Sequence, residues 1–573
     1  MARDEAQREE EAARELGHTD VRPGLARALV LAFLATIAAV PALQIAAGRA
    51  PDPAPLVDGV PSECAIERFE RGVEDDSVVG RVLLPRFQAL LVRVAGVGNE
   101  QVYLGRDGWL FHRPGVDYAA GRGFLDEDAL AKRRLDGDAC AGPPQPDPLA
   151  ALGGFADALA ARGIRLVALP TPVKAVVEPA RLARRAAAAP AHNPSFGAFA
   201  AALAARGVEV LDPTPLLVQP GRYLATDTHW RPEAVEAVAA ALAARIEDLG
   251  VLRAPREGGM ERVDARARHY GDLVLMLDLP AGQTLYPPEE VTLRAVRVRG
   301  APWRPTRGAE VLLLGDSFSN VYSDPAAFRS ERLGDDLSWG AGAGLAEQLS
   351  FALARPVDRI VRNAGGAYAA RADLVREMAR DAEAGRDRLA GVRVVVWQFA
   401  VRELAQGDWR LLELPPPPAT SPEPPGAAGA AARPGPSGTP AAAFAGPRAQ
   451  ADAQGAAVVA GTVAARAEAP RPGSVPYRDA LVALHLRDVA PEGGGEAPRE
   501  ALVYVFGLRD DVAARGARLA PGTRVRLRLA PWDDEAVQRR VGSLNRVELE
   551  DLELLALPAF FGEPAGAEGE GAP

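Results

Sequence analysis

The stretch EVLLLGDSFSNVY, residues 310–322, decides how the chain is read. Val311 to Leu314 make a short apolar run of the kind a fully buried strand carries. Gly315 permits a tight turn at its end. Ser317 then falls just past the carboxyl end of the strand, where open α/β sheets hold their ligands. A serine there is either a helix cap or a nucleophile. The choice rests on whether the chain supplies a base.

The chain has six histidines. His18 lies in the N-terminal leader, His485 in the C-terminal part, His192 in a loop, and His112 and His269 in polar connections. His229 stands in YLATDTHWRPEAVEAVAAAL, residues 223–242, two positions after Asp227. In an extended segment, residues i and i+2 face the same side. The carboxylate can then reach the imidazole, fix its tautomer and stabilise its charged form. Pro232 suits the first position of the helix that follows. Taken alone, D-x-H reads as a turn and GDS as a strand-end turn. Occurring together at the edges of βα units, Asp227, His229 and Ser317 read as orienter, base and nucleophile.

The surroundings agree with that placement. Apolar runs at 164–170, 208–213, 311–314, 358–365 and 393–399 alternate with helical stretches at 148–162, 196–206, 232–247, 342–354 and 370–388. Such alternation predicts βαβ units, hence an α/β domain with a mainly parallel sheet and flanking helices. It is expected over 95–412. Residues 413–454 are rich in Pro, Ala and Gly and read as a disordered linker. Over 455–562 the period changes to two, with strand candidates at 458–467, 481–488, 501–508, 523–532 and 546–557. Five short strands predict a small OB-like β-barrel. Residues 563–573 read as a disordered tail.

At the other end, residues 28–47 carry no charge and are about long enough to cross a bilayer. Arg3, Arg8, Arg14, Arg22 and Arg27 precede them, and only Arg49 follows before Arg68. That bias predicts a cytoplasmic leader over 1–27, one transmembrane signal-anchor, a connecting segment over 48–94, and an exported remainder. The alternatives are a core helix and a cleaved signal peptide. Two cysteines, Cys64 and Cys140, are too few for a disulfide scaffold, and they can pair only in an oxidising compartment. The net charge of -10 argues against a nucleic-acid partner. No His/Cys cluster has metal-ligand spacing and no Gly-rich phosphate loop is present, so neither metal nor cofactor is expected.

GDSFS with an upstream DTHW resembles the SGNH-hydrolase-like domain of the alginate O-acetyltransferase family. YLGRDGWLFHRPG (103–115), HYGDLVLMLDLP (269–280) and VVWQFAVREL (395–404) are similar to its opening, middle and closing motifs. Asp and His precede Ser here, whereas ordinary SGNH esterases place serine first, so the family looks circularly permuted. The resemblance implies a periplasmic acetyltransferase, anchored in the inner membrane by a single pass. It implies an exopolysaccharide acceptor, an acetyl-serine intermediate, and a multipass membrane acyltransferase as acetyl source.

The usual SGNH G-x-N-D block is not recognisable, so RNAGGAYAAR (362–371) is read as supplying the oxyanion donors, Asn363 and the Gly365 amide, beside the Ser317 amide. Gln398 stands where an acidic residue is more typical. Tyr322, Trp339, Tyr368 and Trp397 are candidate sugar-facing aromatics, with the core as their alternative. Arg402 and Lys174 are candidate partners for a uronate carboxylate, with a structural salt bridge as theirs. Two other functions use the same residues: a carbohydrate acetylesterase with water as acceptor, and a non-catalytic glycan-binding scaffold of a secretion complex.

Overall fold

The structure is a computed structural model. It describes residues 22–47, 61–75, 77–135, 144–184, 190–323, 328–330, 337–417, 457–470, 475, 477, 479–492, 498–510, 512–542, 544–549, 554 and 557–565. Most of the expected leader, the linker beyond residue 417, Cys140 and the tail beyond 565 lie outside the described residues. These fall into two units, one up to Phe87 and one from Gln88.

In the first unit, the helix Pro23–Ala46 is long and apolar enough to cross a membrane, with a mean hydropathy of 2.2 in its central window. It starts earlier than Ala28 because Pro23 fits the first helical turn. Gln44, polar and near its end, is buried and donates to the Val73 carbonyl at 2.7 Å, in the helix Glu63–Asp75.

The second unit contains a parallel sheet and a barrel. The sheet strands are β1 (Arg165–Thr171), β2 (Glu209–Val210), β3 (Val311–Gly315), β4 (Asp358–Val361) and β5 (Val394–Ala400). Their order is β4-β3-β5-β1-β2, all parallel. Every residue of β3 and β5 is buried, which is why both read as unbroken apolar runs. Burying one such leucine or valine side chain contributes about 1.5–3 kcal/mol. The helix Pro148–Ala160 packs on β1 and on Phe196–Ala205. Pro232–Asp248 packs on Leu345–Leu353, and Ala369–Glu383 packs on β4 and β3.

Two sheets are absent from the sequence-based expectations, a small one pairing Val102–Leu104 with Leu110–His112 and a larger one. Met260–His269 pairs antiparallel with Glu289–Val298, in continuous register from Met260↔Val298 to His269↔Glu289. Its alternation is faint because Ala265 and Ala267 carry the inward face of the first strand, and alanine is a weak β-former. The hairpin brings His269, Gly271 and Asp272 to the site described below.

The barrel strands are β6 (Ala457–Arg466), β7 (Ala480–Pro491), β8 (Glu500–Arg509), β9 (Arg524–Pro531) and β10 (Ala559–Pro564). β6 pairs with β7 and β9, β7 with β8, β8 with β10, and β10 with β9, closing a five-stranded OB-like barrel. The fifth strand is AFFGEP, not 546–557. Phe560 and Phe561 enter the barrel core. Asn545–Val547 instead adds a short parallel pairing to Ala480–Val482. Glu548, which looks like the next alternating strand position, is drawn into an ionic cluster with the α/β domain.

Candidate active site

β3 ends at Gly315, and Ser317 opens a single helical turn, Ser317–Asn320. Asp316 caps that turn through its Oδ1, which accepts the Phe318 amide at 2.8 Å, while its Oδ2 accepts the Ala400 amide at 2.8 Å. Gln398, on neighbouring β5, accepts from the Asp316 amide at 3.1 Å and from Ser319 Oγ at 2.7 Å, and donates to Thr171 Oγ1. Gly315 is needed for this approach: a Cβ there would lie 2.4 Å from Ser319 Oγ. Ser317 is left half-buried at the end of the strand, its neighbours fixed on both sides.

Asp227 and His229 lie in a bend closed by the Tyr223↔Trp230 bridge, not in an extended run. Asp227 Oδ1 accepts both the His229 amide, at 3.0 Å, and His229 Nδ1, at 2.6 Å. An Asx-type turn thus does what strand alternation was expected to do. Pro232 begins the next helix as anticipated. The bend docks on the serine turn: Trp230 Nε1 donates to the Phe318 carbonyl at 3.0 Å and Tyr322 OH donates to the Trp230 carbonyl at 2.7 Å. The His229 ring lies 4.8 Å from the Phe318 ring, centroid to centroid. His229 Nε2 is buried and has no hydrogen-bond partner among the described residues, the Ser317 hydroxyl included.

Asp272 is the residue that sequence reasoning passed over, although it sits inside the quoted HYGDLVLMLDLP. Its Oδ1 accepts the Thr228 amide at 2.7 Å, its Oδ2 accepts from Thr228 Oγ1, and it lies 3.7 Å from His229 Nδ1. Its own amide donates to Asp227 Oδ2 at 3.0 Å. Trp339 Nε1 donates to the same oxygen at 2.9 Å. Gly271 makes this approach possible: its φ is +92°, and a Cβ would lie 2.2 Å from the Thr226 carbonyl oxygen. Glu289 braces the start of the bend, accepting from the Thr226 amide at 2.8 Å and its hydroxyl at 2.6 Å.

The electrostatics follow from burial and these partners. Burial disfavours the His229 imidazolium, but Asp227 and then Asp272 outweigh it and raise His229 above its ordinary 6.5. Burial would raise the Asp227 carboxyl, yet His229, Trp339 and His269 hold it below the ordinary carboxylate range. Asp272 is pushed up to about 6 by burial and by the Asp227 charge. His269, whose Nδ1 accepts the Gly271 amide, is pushed down to about 4 by burial. His112 is pushed down to about 3, first by burial and then by Arg402, His229 and Lys174.

Asp227, His229 and Asp272 have ligand atoms within 4.8 Å of one another, close enough to hold a metal ion. Their surroundings favour a hydrogen-bond network instead. Both Asp227 oxygens and both Asp272 oxygens already accept N–H or O–H donors.

The remaining candidates separate into two groups. Arg402 is half-buried, 5.8 Å above the Phe318 ring, with Glu403 3.4 Å away. Asn363 faces the serine turn, its Oδ1 accepting from Asn320 Nδ2 at 3.2 Å, which leaves its amide nitrogen to donate elsewhere. By contrast, the Gly365 amide donates to the Arg362 carbonyl at 3.3 Å and is not available as an oxyanion donor. Tyr322 is fully buried with its hydroxyl engaged, and Trp397 packs among Phe155, Phe399 and Trp409, so both are core residues and not sugar platforms. Trp339 is likewise buried, and it acts on Asp227. Arg410 covers the ring of Tyr368. Lys174 is buried, with Nζ donating to the carbonyls of Leu110 at 2.7 Å and Ala225 at 3.0 Å. Burial lowers it to about 8. It braces the bend from behind and does not offer its charge to a ligand.

Residues 102–401 match the family model described as SGNH hydrolase-like domain, acetyltransferase AlgX. The probable alginate O-acetylase AlgJ of Pseudomonas aeruginosa is 29% identical over 256 residues, 44% of this chain and 60% of the relative. That of Pseudomonas fluorescens is 28% identical over 226 residues, covering 39% and 52%. The chain therefore spans a little over half the length of these curated relatives. Among solved structures, the O-acetyltransferase domain of Pseudomonas putida AlgJ is 23% identical, with a TM-score of 0.38 over 53% of this chain and 92% of that one. Pseudomonas aeruginosa AlgX is 16% identical, with a TM-score of 0.36 over 53% and 66%. The match of the family model to more than half of its length makes this chain a member of the SGNH hydrolase-like AlgX acetyltransferase family.

Proposed function

We propose that the protein transfers acetyl groups to hydroxyls of an exported polysaccharide. Ser317 is the nucleophile, His229 the base and Asp227 the orienter. His229 Nε2 takes the Ser317 proton while the hydroxyl oxygen attacks an acyl donor. The donor's leaving group departs with that proton and an acetyl-serine remains. A sugar hydroxyl then attacks the ester, His229 again accepting the proton and returning it to Ser317. The Ser317 amide and the Asn363 side chain are the oxyanion donors, and Arg402 is the residue placed to meet an acidic sugar. The Pro23–Ala46 helix anchors the chain, with the remainder in the periplasm and a multipass membrane acyltransferase supplying acetyl groups.

The observation that carries this reading is the buried Nε2 of His229, without a partner among the described residues, its other ring nitrogen fixed by Asp227 and its ring packed beside the residue that follows Ser317. A catalytic hydrogen bond that is open in an unliganded site commonly tightens only when substrate binds. The test is to incubate the full chain with p-nitrophenyl acetate, with and without an acidic polysaccharide. Acetylated glycan that forms with the parent protein and not with Ser317→Ala supports transfer. Release of acetate alone in both incubations favours the esterase. Binding of glycan with no turnover and no labelling of Ser317 by a sulfonyl fluoride favours the scaffold.

A further inference from the structure

The segment that carries Asn363 is a tight turn gripped from the barrel. Ala364, at φ 54°, and Gly366, at φ 53°, both hold left-handed backbone. For alanine that conformation persists only where the surroundings enforce it. The turn is pinned to the serine strand, because the Arg362 amide donates to the Gly315 carbonyl at 3.0 Å.

The Arg362 side chain runs the other way, into a buried ionic cluster. Its Nη1 lies 3.1 Å from Asp373 Oδ2 and 3.1 Å from Glu548 Oε1, and its Nη2 donates to the Arg546 carbonyl at 2.7 Å. Arg376 reaches Asp373 Oδ1 at 2.6 Å and Glu548 Oε1 at 2.8 Å. Arg546 Nη2 reaches Asp373 Oδ2 at 2.7 Å. Within the barrel, Tyr504 OH donates to Glu548 Oε2 at 3.0 Å, and the Arg546 guanidinium lies 4.8 Å from the Trp532 ring centre. Two residues of the barrel segment therefore hold the arginine next to Asn363, whose side chain meets Asn320 of the serine turn.

We propose that the barrel is a positioning element for the catalytic domain: Glu548 and Arg546 grip Arg362 and thereby hold Asn363 in place beside Ser317. The role given to Asn363 rests on the acyl-transfer reading above; the grip on the turn does not. Glu548 also meets Arg376 and the Tyr504 hydroxyl, and its link to the turn that carries Asn363 runs through Arg362. Losing its charge leaves Arg362 partly uncompensated in a buried site, and the turn relaxes. Small misplacements of a catalytic group are costly in rate.

The experiment compares Glu548→Gln, Glu548→Asp and Val541→Ala in the full chain. Val541 is fully buried in the barrel core and takes no part in the cluster. Glu548→Gln should speed amide exchange at residues 363–366 and lower kcat for p-nitrophenyl acetate by about tenfold, with KM within twofold. Glu548→Asp should recover most of that loss. Val541→Ala should lower the melting temperature and leave kcat unchanged. If Glu548→Gln does not fold, Arg546→Lys is predicted to show the same pattern in smaller measure. Unchanged exchange at 363–366, or an equal kcat loss in Val541→Ala, overturns the proposal. A parent protein that a sulfonyl fluoride fails to label at Ser317 overturns the catalytic reading instead, and the exchange measurement still decides the grip.

Discussion

Two clusters of buried charge lie beyond the ends of the neighbouring strands β3 and β4, and they are built to opposite rules. Around Asp373 and Glu548, three arginines face two carboxylates, and each carboxylate oxygen meets a cation or the Tyr504 hydroxyl. Around Asp227 and Asp272, the carboxylates are satisfied largely by neutral amides, a hydroxyl and an indole. Among the described residues, the Nε2 atoms of His229 and His269 there are left without a hydrogen-bond partner. The first arrangement fixes geometry, because parting any of its members would strand a charge in low dielectric. The second leaves imidazole nitrogens without partners, a cost in stability that fits the proton acceptor proposed above.

That contrast can be broken in order of size. Ser317→Ala should lower acyl transfer by on the order of 10⁶ if chemistry limits, because members of such a set act as a unit; a variant within tenfold of the parent in a turnover assay removes the nucleophile from the account. Asp227→Asn keeps the shape of the bend but not the tautomer, and should lose roughly 10⁴ in kcat. Gly271→Ala puts a Cβ against the Thr226 carbonyl in left-handed backbone, and should cost about 1–3 kcal/mol in denaturant unfolding while loosening the bend. The smallest effect is the most diagnostic. His229 must be neutral to act as a base, and its partners raise it, so activity should fall toward acid with a midpoint above 6.5. Asp272→Asn removes one of the charges that raise it, and the midpoint of the pH–rate profile should move to lower pH. A midpoint that does not move separates Asp272 from the base.

Much of this candidate site was legible along the chain. GDS after a buried run located Ser317, and D-x-H before a proline-opened helix located Asp227 and His229. Asp272 was not legible, because an isolated carboxylate in HYGDLVLML carries no local sign that a hairpin will fold it onto a loop some 45 residues earlier in the chain. Tyr322, Trp397 and Lys174 misled for a related reason. Residue type shows that a side chain can stack or carry charge, and only packing shows which way it faces. The fifth barrel strand was displaced because RVELEDLELLAL alternates well by itself, while Glu548 answers to arginines of another domain.

Period and punctuation alone determined the α/β domain, the barrel, the apolar N-terminal helix and the three residues offered as nucleophile, base and orienter. Those signals are local: runs of apolar residues, a proline, a glycine at a strand end. Tertiary structure alone decided that the bend docks on the serine turn, that Asp272 and Trp339 complete the environment of Asp227, and that the barrel reaches Arg362. Each of these depends on contacts between distant segments, and such contacts are set by how whole faces bury against one another rather than by any pattern within one stretch.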